Sequence, residues 1–246
     1  RPSQVEVTDL YEQVDDREAD WVAAAVPTAG CAVVAVANGD GVTDLLDHLG
    51  VSVVVAGGQS MNPSTQHVLD GIERCRAGSV VVLPNNKNIV AVAEQAATMA
   101  SLPAKVVPTH SVVEALAALI DFDPDAALDD NVVAMAGAAA RVRTGEVTRA
   151  VRDSQAECGS IRAGDWIGIT RAGIGTRADS AAGAAIGVLD ELVDASDELV
   201  TILVGADVDA ADVERLRSYV AESWPDVEVE VHQGGQPLYP FLLGVE

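Results

Sequence analysis

Four short runs of small and β-branched apolar residues follow one another in the first half of the chain: CAVVAVA at 31–37, VSVVVA at 51–56, SVVVLP at 79–84 and AKVVP at 104–108. None shows apolar–polar alternation, and each is bounded by turn-forming residues, so each reads as a strand covered on both faces, as in a parallel sheet. Parallel neighbours need long crossover connections, usually helical. The stretches between the runs supply them. Val68, Leu69, Ile72 and Cys75 share one helical face, with Asn62 expected as the N-cap and Pro63 at the first helical position. Ser111 and Glu114 have capping-box spacing ahead of Val112, Leu116, Leu119 and Ile120. The first half therefore predicts an α/β fold built on an open, doubly wound parallel sheet.

The second half has a different pattern. An Ala-rich helix opens at Asp123-Pro124 and runs to about Arg141, after which GEVTRAVRDS and DWIGITRAG alternate apolar and polar residues as antiparallel strands do. A helix over about 180–193, the strand ELVTILVG, an acidic helix over about 209–223 and the strands DVEVEVH and YPFLLGVE complete a mixed α/β sheet. Three regions are expected: 1–30, the trailing segment of a preceding domain with its linker; 31–120, a parallel α/β lobe; and 121–246, a mixed α/β lobe.

Each of the first four strands ends in a polar cluster: Asn38-Gly39-Asp40-Gly41, Gly57-Gly58-Gln59-Ser60, Asn85-Asn86-Lys87-Asn88 and Thr109-His110-Ser111. Ligands of open α/β sheets bind at the carboxyl ends of the strands. Gln59, Ser60, Asn62, Asn85, Asn86, Lys87 and Thr109 are accordingly expected on one rim as partner or ligand contacts, although the same residue types serve caps and turns. The first Gly-Gly-Gln is echoed by Gly234-Gly235-Gln236, in a connection over 233–238 that is too short for a crossover and predicts a hairpin-like bend. Gln236 would then present a second amide to a partner. Arg152, next to Asp153, is a candidate ligand clamp, the alternative being a sheet-edge ion pair.

Charge and composition narrow the function. The net charge is −23 and the only lysines are Lys87 and Lys105, which argues against a nucleic-acid partner. Three cysteines without CxxC spacing read as free thiols, pointing to a reducing compartment, the cytoplasm. No apolar run approaches the roughly 20 residues of a membrane span. The four histidines lack ligand spacing with cysteine or one another, so no metal site is expected, and no G-x-S-x-G, Walker A or GxGxxG motif occurs.

The segments NGDGVTDLLDHLGVSVVVAGGQSMNPST, VVVLPNNKNIVAVAEQAA, TGEVTRAVRDS and DVEVEVHQGGQPLYPFLLGVE carry a likeness to a known family. Over about 31–246 the chain closely resembles the C-terminal region of the bacterial fatty acid kinase catalytic subunit, which is related to dihydroxyacetone kinases. The resemblance implies a two-lobed, DegV-like domain that is itself not catalytic. It implies docking of a separate acyl-binding, DegV-type subunit, while ATP and Mg belong to an N-terminal helical domain of the parent fatty acid kinase, through which a homodimer is an open alternative. No cofactor is expected in this chain. Two other readings stay open: a fatty-acid or small-molecule binding domain using the loop from Ser60 to Ser64, which is similar to the Thr-Ser-x-Pro-Ser loop of DegV-type proteins, and a dihydroxyacetone-kinase-like substrate domain with His232 as a covalent site. Glu12-Gln13 is followed by Val14-Asp15-Asp16 rather than by the histidines of relatives, so no zinc site is carried over.

Overall fold

The computed structural model describes residues 30–57 and 62–246. The four apolar runs become β1 (Cys31–Val36), β2 (Val53–Val55), β3 (Ser79–Leu83) and β4 (Ala104–Val106), an all-parallel sheet A in the order β2-β1-β3-β4. Each strand is followed by a helix: α1 (Asp40–His48), α2 (Thr65–Glu73), α3 (Val90–Met99) and α4 (Val112–Ile120). A fifth helix, α5 (Leu128–Arg141), packs on α4. Asn131 fixes the turn between them, accepting from the Asp123 N–H at 2.9 Å and donating to the Asp123 carbonyl at 2.7 Å.

Two helix starts test the capping argument. Ser111 caps α4 by accepting from Val113 N–H at 3.2 Å, and Glu114 reaches back to the N–H of His110 at 2.7 Å. For α2 the expected start is corrected. The cap is Ser64, whose hydroxyl accepts from the His67 N–H at 3.2 Å, so the helix opens at Thr65 rather than at Pro63. Ser64 stands three residues before the donor it satisfies, and Asn62 falls outside the helix.

The remaining strands are β5 (Arg143–Arg149), the small hairpin β6 (Ser154–Ala156) and β7 (Gly159–Ile161), then β8 (Trp166–Thr170), β9 (Gly173–Ala178), β10 (Leu199–Val204), β11 (Glu228–Gln233) and β12 (Phe241–Val245). Sheet B has the order β11-β10-β12-β5-β8-β9, with only β10 and β11 parallel. Helices α6 (Ala181–Leu192) and α7 (Ala210–Ser223) cover its outer face.

Strand alternation sorts the core into layers. Ala32, Val34 and Val36 of β1 point to α2 and α3, whereas Val33 and Ala35 point to the opposite face, where α1, α4 and α5 lie. That same inner layer receives Leu203 and Leu242 from sheet B, while Ile202, Val204 and Leu243 turn outward to α6 and α7. The molecule is thus stacked as helix, sheet, helix, sheet, helix, with Met135 of α5 fully buried in the middle layer.

The connection over 233–238 is not a hairpin. β10 lies between β11 and β12, so the loop strides over the end of one strand, a span of roughly 10 Å that six residues cover easily. In doing so it lands on sheet A. The N–H of Val42 donates to the Gly234 carbonyl at 2.9 Å. A Cβ on Gly39 or Gly41 would overlap the backbone of residues 233–236, and Gly39 also has φ 104°, so glycine is required here by both contact and conformation.

Candidate functional site

In the order β2-β1-β3-β4 the crossovers diverge between β1 and β3, which is where an open sheet leaves a crevice. Two of the side chains expected to serve that crevice, Asn85 and Thr109, hold the rim together instead, and Asn38 does the same. Asn38 Oδ1 accepts from the N–H of Gly57 at 3.2 Å. Asn85, buried and left-handed at φ 57°, donates through Nδ2 to the Val36 carbonyl at 3.0 Å. Thr109, fully buried, donates to Asn85 Oδ1 at 2.7 Å, and its hydroxyl oxygen accepts the Asn85 N–H at 3.1 Å. Asn85 and Thr109 therefore lock β1, β3 and β4 at their carboxyl ends.

Gln236 is corrected likewise. Expected to present its amide, it is only 2% exposed; its Nε2 donates to the carbonyls of Leu203 at 2.9 Å and Tyr239 at 3.2 Å, and its Oε1 is buried without a hydrogen-bond partner. The loop that strides over β10 is held in shape by this amide. Gln59 and Ser60 lie outside the described residues. Asn62 is exposed ahead of α2, and Arg152 is exposed in the turn before β6; neither lines the cleft described next. Asp153 uses its carboxylate on the N–H of Ala163 at 2.8 Å. His232 lies on the edge strand β11, 3.4 Å from Glu230, and is likewise no part of the cleft.

One residue beyond Asn85 the picture changes. The left-handed turn at Asn85 lifts Asn86, Lys87 and Asn88 off the sheet, and with His110 they form one wall of a cleft of about 440 Å³. Sheet B supplies the other wall: Thr144 and Glu146 from β5, Ile169 and Thr170 from β8, Arg171 from the following turn and Tyr239 from the loop before β12. Thr144 and Glu146 face the cleft because they alternate with Val147, which faces the outer core.

The charges are arranged in two tiers. Glu114, at 1% exposure, is the buried post: its Oε1 accepts from Arg171 Nη2 at 2.8 Å and from the Thr144 hydroxyl at 3.3 Å, and its Oε2 holds the His110 N–H. One carboxylate so joins α4 to sheet B and to the loop after β4. Glu146 is half-buried above it. Burial pushes its carboxyl up to about 7, the Lys87 ammonium pulls it down, and the Glu114 carboxylate pushes it up. Burial also raises the Tyr239 phenol, with Glu146 adding to the effect. Lys87 pairs with no carboxylate among the described residues and is exposed at the mouth. The cleft can therefore present a free ammonium, several amides and hydroxyls, and a carboxyl that changes charge near neutrality. Among the described residues no three His, Cys, Asp or Glu side chains are placed to hold a metal ion.

Of the residues that line this cleft, the sequence singled out Asn86 and Lys87 but not Glu146 or Arg171. A signal existed for the first: in TGEVTR a carboxylate alternates with threonines on one strand face, which is unusual for a strand flanked by apolar neighbours.

Residues 32–246 match the FakA-like C-terminal family model, which describes the C-terminal part of fatty acid kinase A-like subunits. The chain belongs to that family. It is 38% identical over 214 residues to protein YloV of Bacillus subtilis (strain 168), covering 87% of this chain and 39% of that protein. It spans about two fifths of the length of the curated relatives it matches. Among solved structures, the DegV family protein Cg2579 of Corynebacterium glutamicum superposes with a TM-score of 0.62 at 12% identity, covering 88% of this chain and 96% of that one. The dihydroxyacetone kinase of C. freundii gives 0.57 at 12% identity, covering 99% and 57%. The fatty acid kinase B3 protein of Streptococcus pneumoniae, loaded with linoleic acid, gives 0.55 at 10% identity, covering 88% and 99%. The family member thus has the two-lobed DegV fold. No helix among the described residues is long and apolar enough to cross a membrane.

Proposed function

We propose that this domain is the non-catalytic recognition part of a fatty acid kinase, docking a DegV-type acyl-binding subunit so that phosphoryl transfer, with its ATP and Mg, takes place on another domain of the parent protein. Family membership supplies the kinase context. The observation that carries the recognition role is the filling of the space between the sheets. Met135, Leu119, Leu203 and Leu242 occupy the middle layer, and among the described residues Ile169 is the only aliphatic side chain lining the 440 Å³ cleft. An acyl chain needs a continuous apolar channel, since each methylene left in a polar setting forgoes about 0.8 kcal/mol. The lipid then belongs on a separate subunit, in keeping with the same fold in the fatty acid kinase B3 protein that holds linoleic acid.

Calorimetric titration of this chain with a fatty-acid-loaded DegV-type subunit from the same organism should give saturable one-to-one binding, whereas oleate alone should give none. Fatty acid recovered from the purified chain, together with no association with that subunit, would replace the docking role with lipid carriage.

A further inference from the structure

The cleft between the sheets has a second use that is independent of docking. We propose that it binds a small, singly charged hydroxy acid, with the carboxylate on Lys87 and the hydroxyls among the amides of Asn86 and Asn88 and the phenol of Tyr239. The geometry carries the assignment. The cleft is about 440 Å³, enough for a ligand of several heavy atoms, and it is walled on both sides by polar side chains. Of its two stronger cations among the described residues, Arg171 is ion-paired with the buried Glu114, whereas Lys87 makes no ion pair and acts on Glu146 only at longer range, so Lys87 is the one placed to meet an anion. A dianion would find one ammonium and two facing carboxyls, and an uncharged polyol would leave Lys87 unmet. Within this cleft a long-chain acid would find, among the described residues, Ile169 as its one aliphatic contact.

Glu146 makes the binding proton-linked. The groups that face it are Lys87 from the loop after β3, His110 from the loop after β4, Glu114 from α4, Arg171 from the turn after β8 and Tyr239 from the loop before β12. With Glu146 ionised these charges balance and an incoming carboxylate is repelled; with Glu146 protonated the cleft carries a net positive charge and offers an O–H donor as well. Because its carboxyl titrates at about 7 when the cleft is empty, affinity falls as pH rises through neutrality. If only the protonated form binds, the loss is about tenfold between pH 6 and pH 8.

The test is titration of the 246-residue chain with glycerate, followed by calorimetry and by chemical-shift changes. Expected are saturable binding at pH 6, a loss of at least about tenfold in Lys87→Met, and the tenfold pH dependence. That dependence survives in His110→Asn and disappears in Glu146→Gln, which keeps the pH 6 affinity at pH 8. Thermal melts confirm that the variants are folded; Lys87 and His110 are both exposed. No binding at tens of millimolar glycerate overturns the proposal. So does equal binding of glycerol, tighter binding of octanoate or inorganic phosphate, or an affinity unchanged in Lys87→Met. A pH dependence that follows His110→Asn instead of Glu146→Gln removes Glu146 from the site and overturns the proton linkage. The acyl-binding protein is left out of every arm, so failure here leaves the docking result unaffected.

Discussion

Two stretches of the same sheet rim, one after β1 and one after β3, begin with the same residue type and end in opposite roles. After β1, Asn38 bonds the neighbouring loop and Gly39 and Gly41 receive the backbone of residues 233–236, so the crevice beside β1 is filled by protein. After β3, Asn85 is spent on the strand beside it, but the three residues that follow are lifted into an open cleft. An asparagine in register with a strand end meets the unpaired groups of the next strand and is consumed by them. One or two positions later the chain has left the sheet, and the same chemistry faces solvent and the opposite lobe.

The sharpest way to break this contrast is to thicken the filled half. Gly41→Ala places a methyl into the Gln233 carbonyl and should lower stability by about 3 kcal/mol in urea unfolding, because backbone must move on both sides. A loss below about 0.5 kcal/mol would show that the two lobes are not pressed together there. Gln236→Ala removes the donor to the Leu203 and Tyr239 carbonyls and should cost about 2 kcal/mol, read in the same way. If the variant instead unfolds like the parent while partner affinity drops, Gln236 serves recognition after all.

Glu146→Gln probes the open half, and its sign depends on pH. The folded carboxyl titrates above its ordinary value of 4.5, so the fold binds a proton that the unfolded chain releases, and stability falls as pH climbs from about 4.5 to about 7 and then levels off. The variant lacks that loss. It should match the parent at pH 4 and exceed it at pH 8 by about 1–2 kcal/mol, less than the whole shift because solvent reaches the carboxyl. Parallel melting curves across that range would remove burial as the cause of the shift. The smallest effect is expected for Asn86→Ala, within about 0.5 kcal/mol at any pH, since it removes one exposed hydrogen bond, from the Asn88 N–H to the Asn86 Oδ1 at 2.9 Å, and none to the sheet; a larger loss would place Asn86 with Asn85 among the structural residues.

How much of this was legible in the sequence follows from how local each cause is. The four apolar runs and the cap at Ser111 depend on residues within a few positions, and the structure has them as read. The cap at Ser64 was legible too, but Asn62-Pro63 offered a competing start two residues earlier. The hairpin expected between β11 and β12 failed because the strand between them, β10, is supplied from more than twenty residues upstream, which loop length alone does not reveal. Gln236 was misjudged and Glu146 overlooked for the same reason. The full burial of one and the cleft setting of the other are fixed by Leu203, Lys87 and Glu114, all distant along the chain.

With α4 and α5 wedged between two sheets, neither half of this chain is a transferable module. Val113 of α4 lies against the Gly244 backbone, and Met135 of α5 shares its surroundings with residues of both sheets. A lineage that exchanged one half by recombination would inherit a helix pair shaped for the wrong neighbour. Change at the cleft is then expected to accumulate by point substitution at Lys87, Glu146 and their surroundings, while the two halves descend together.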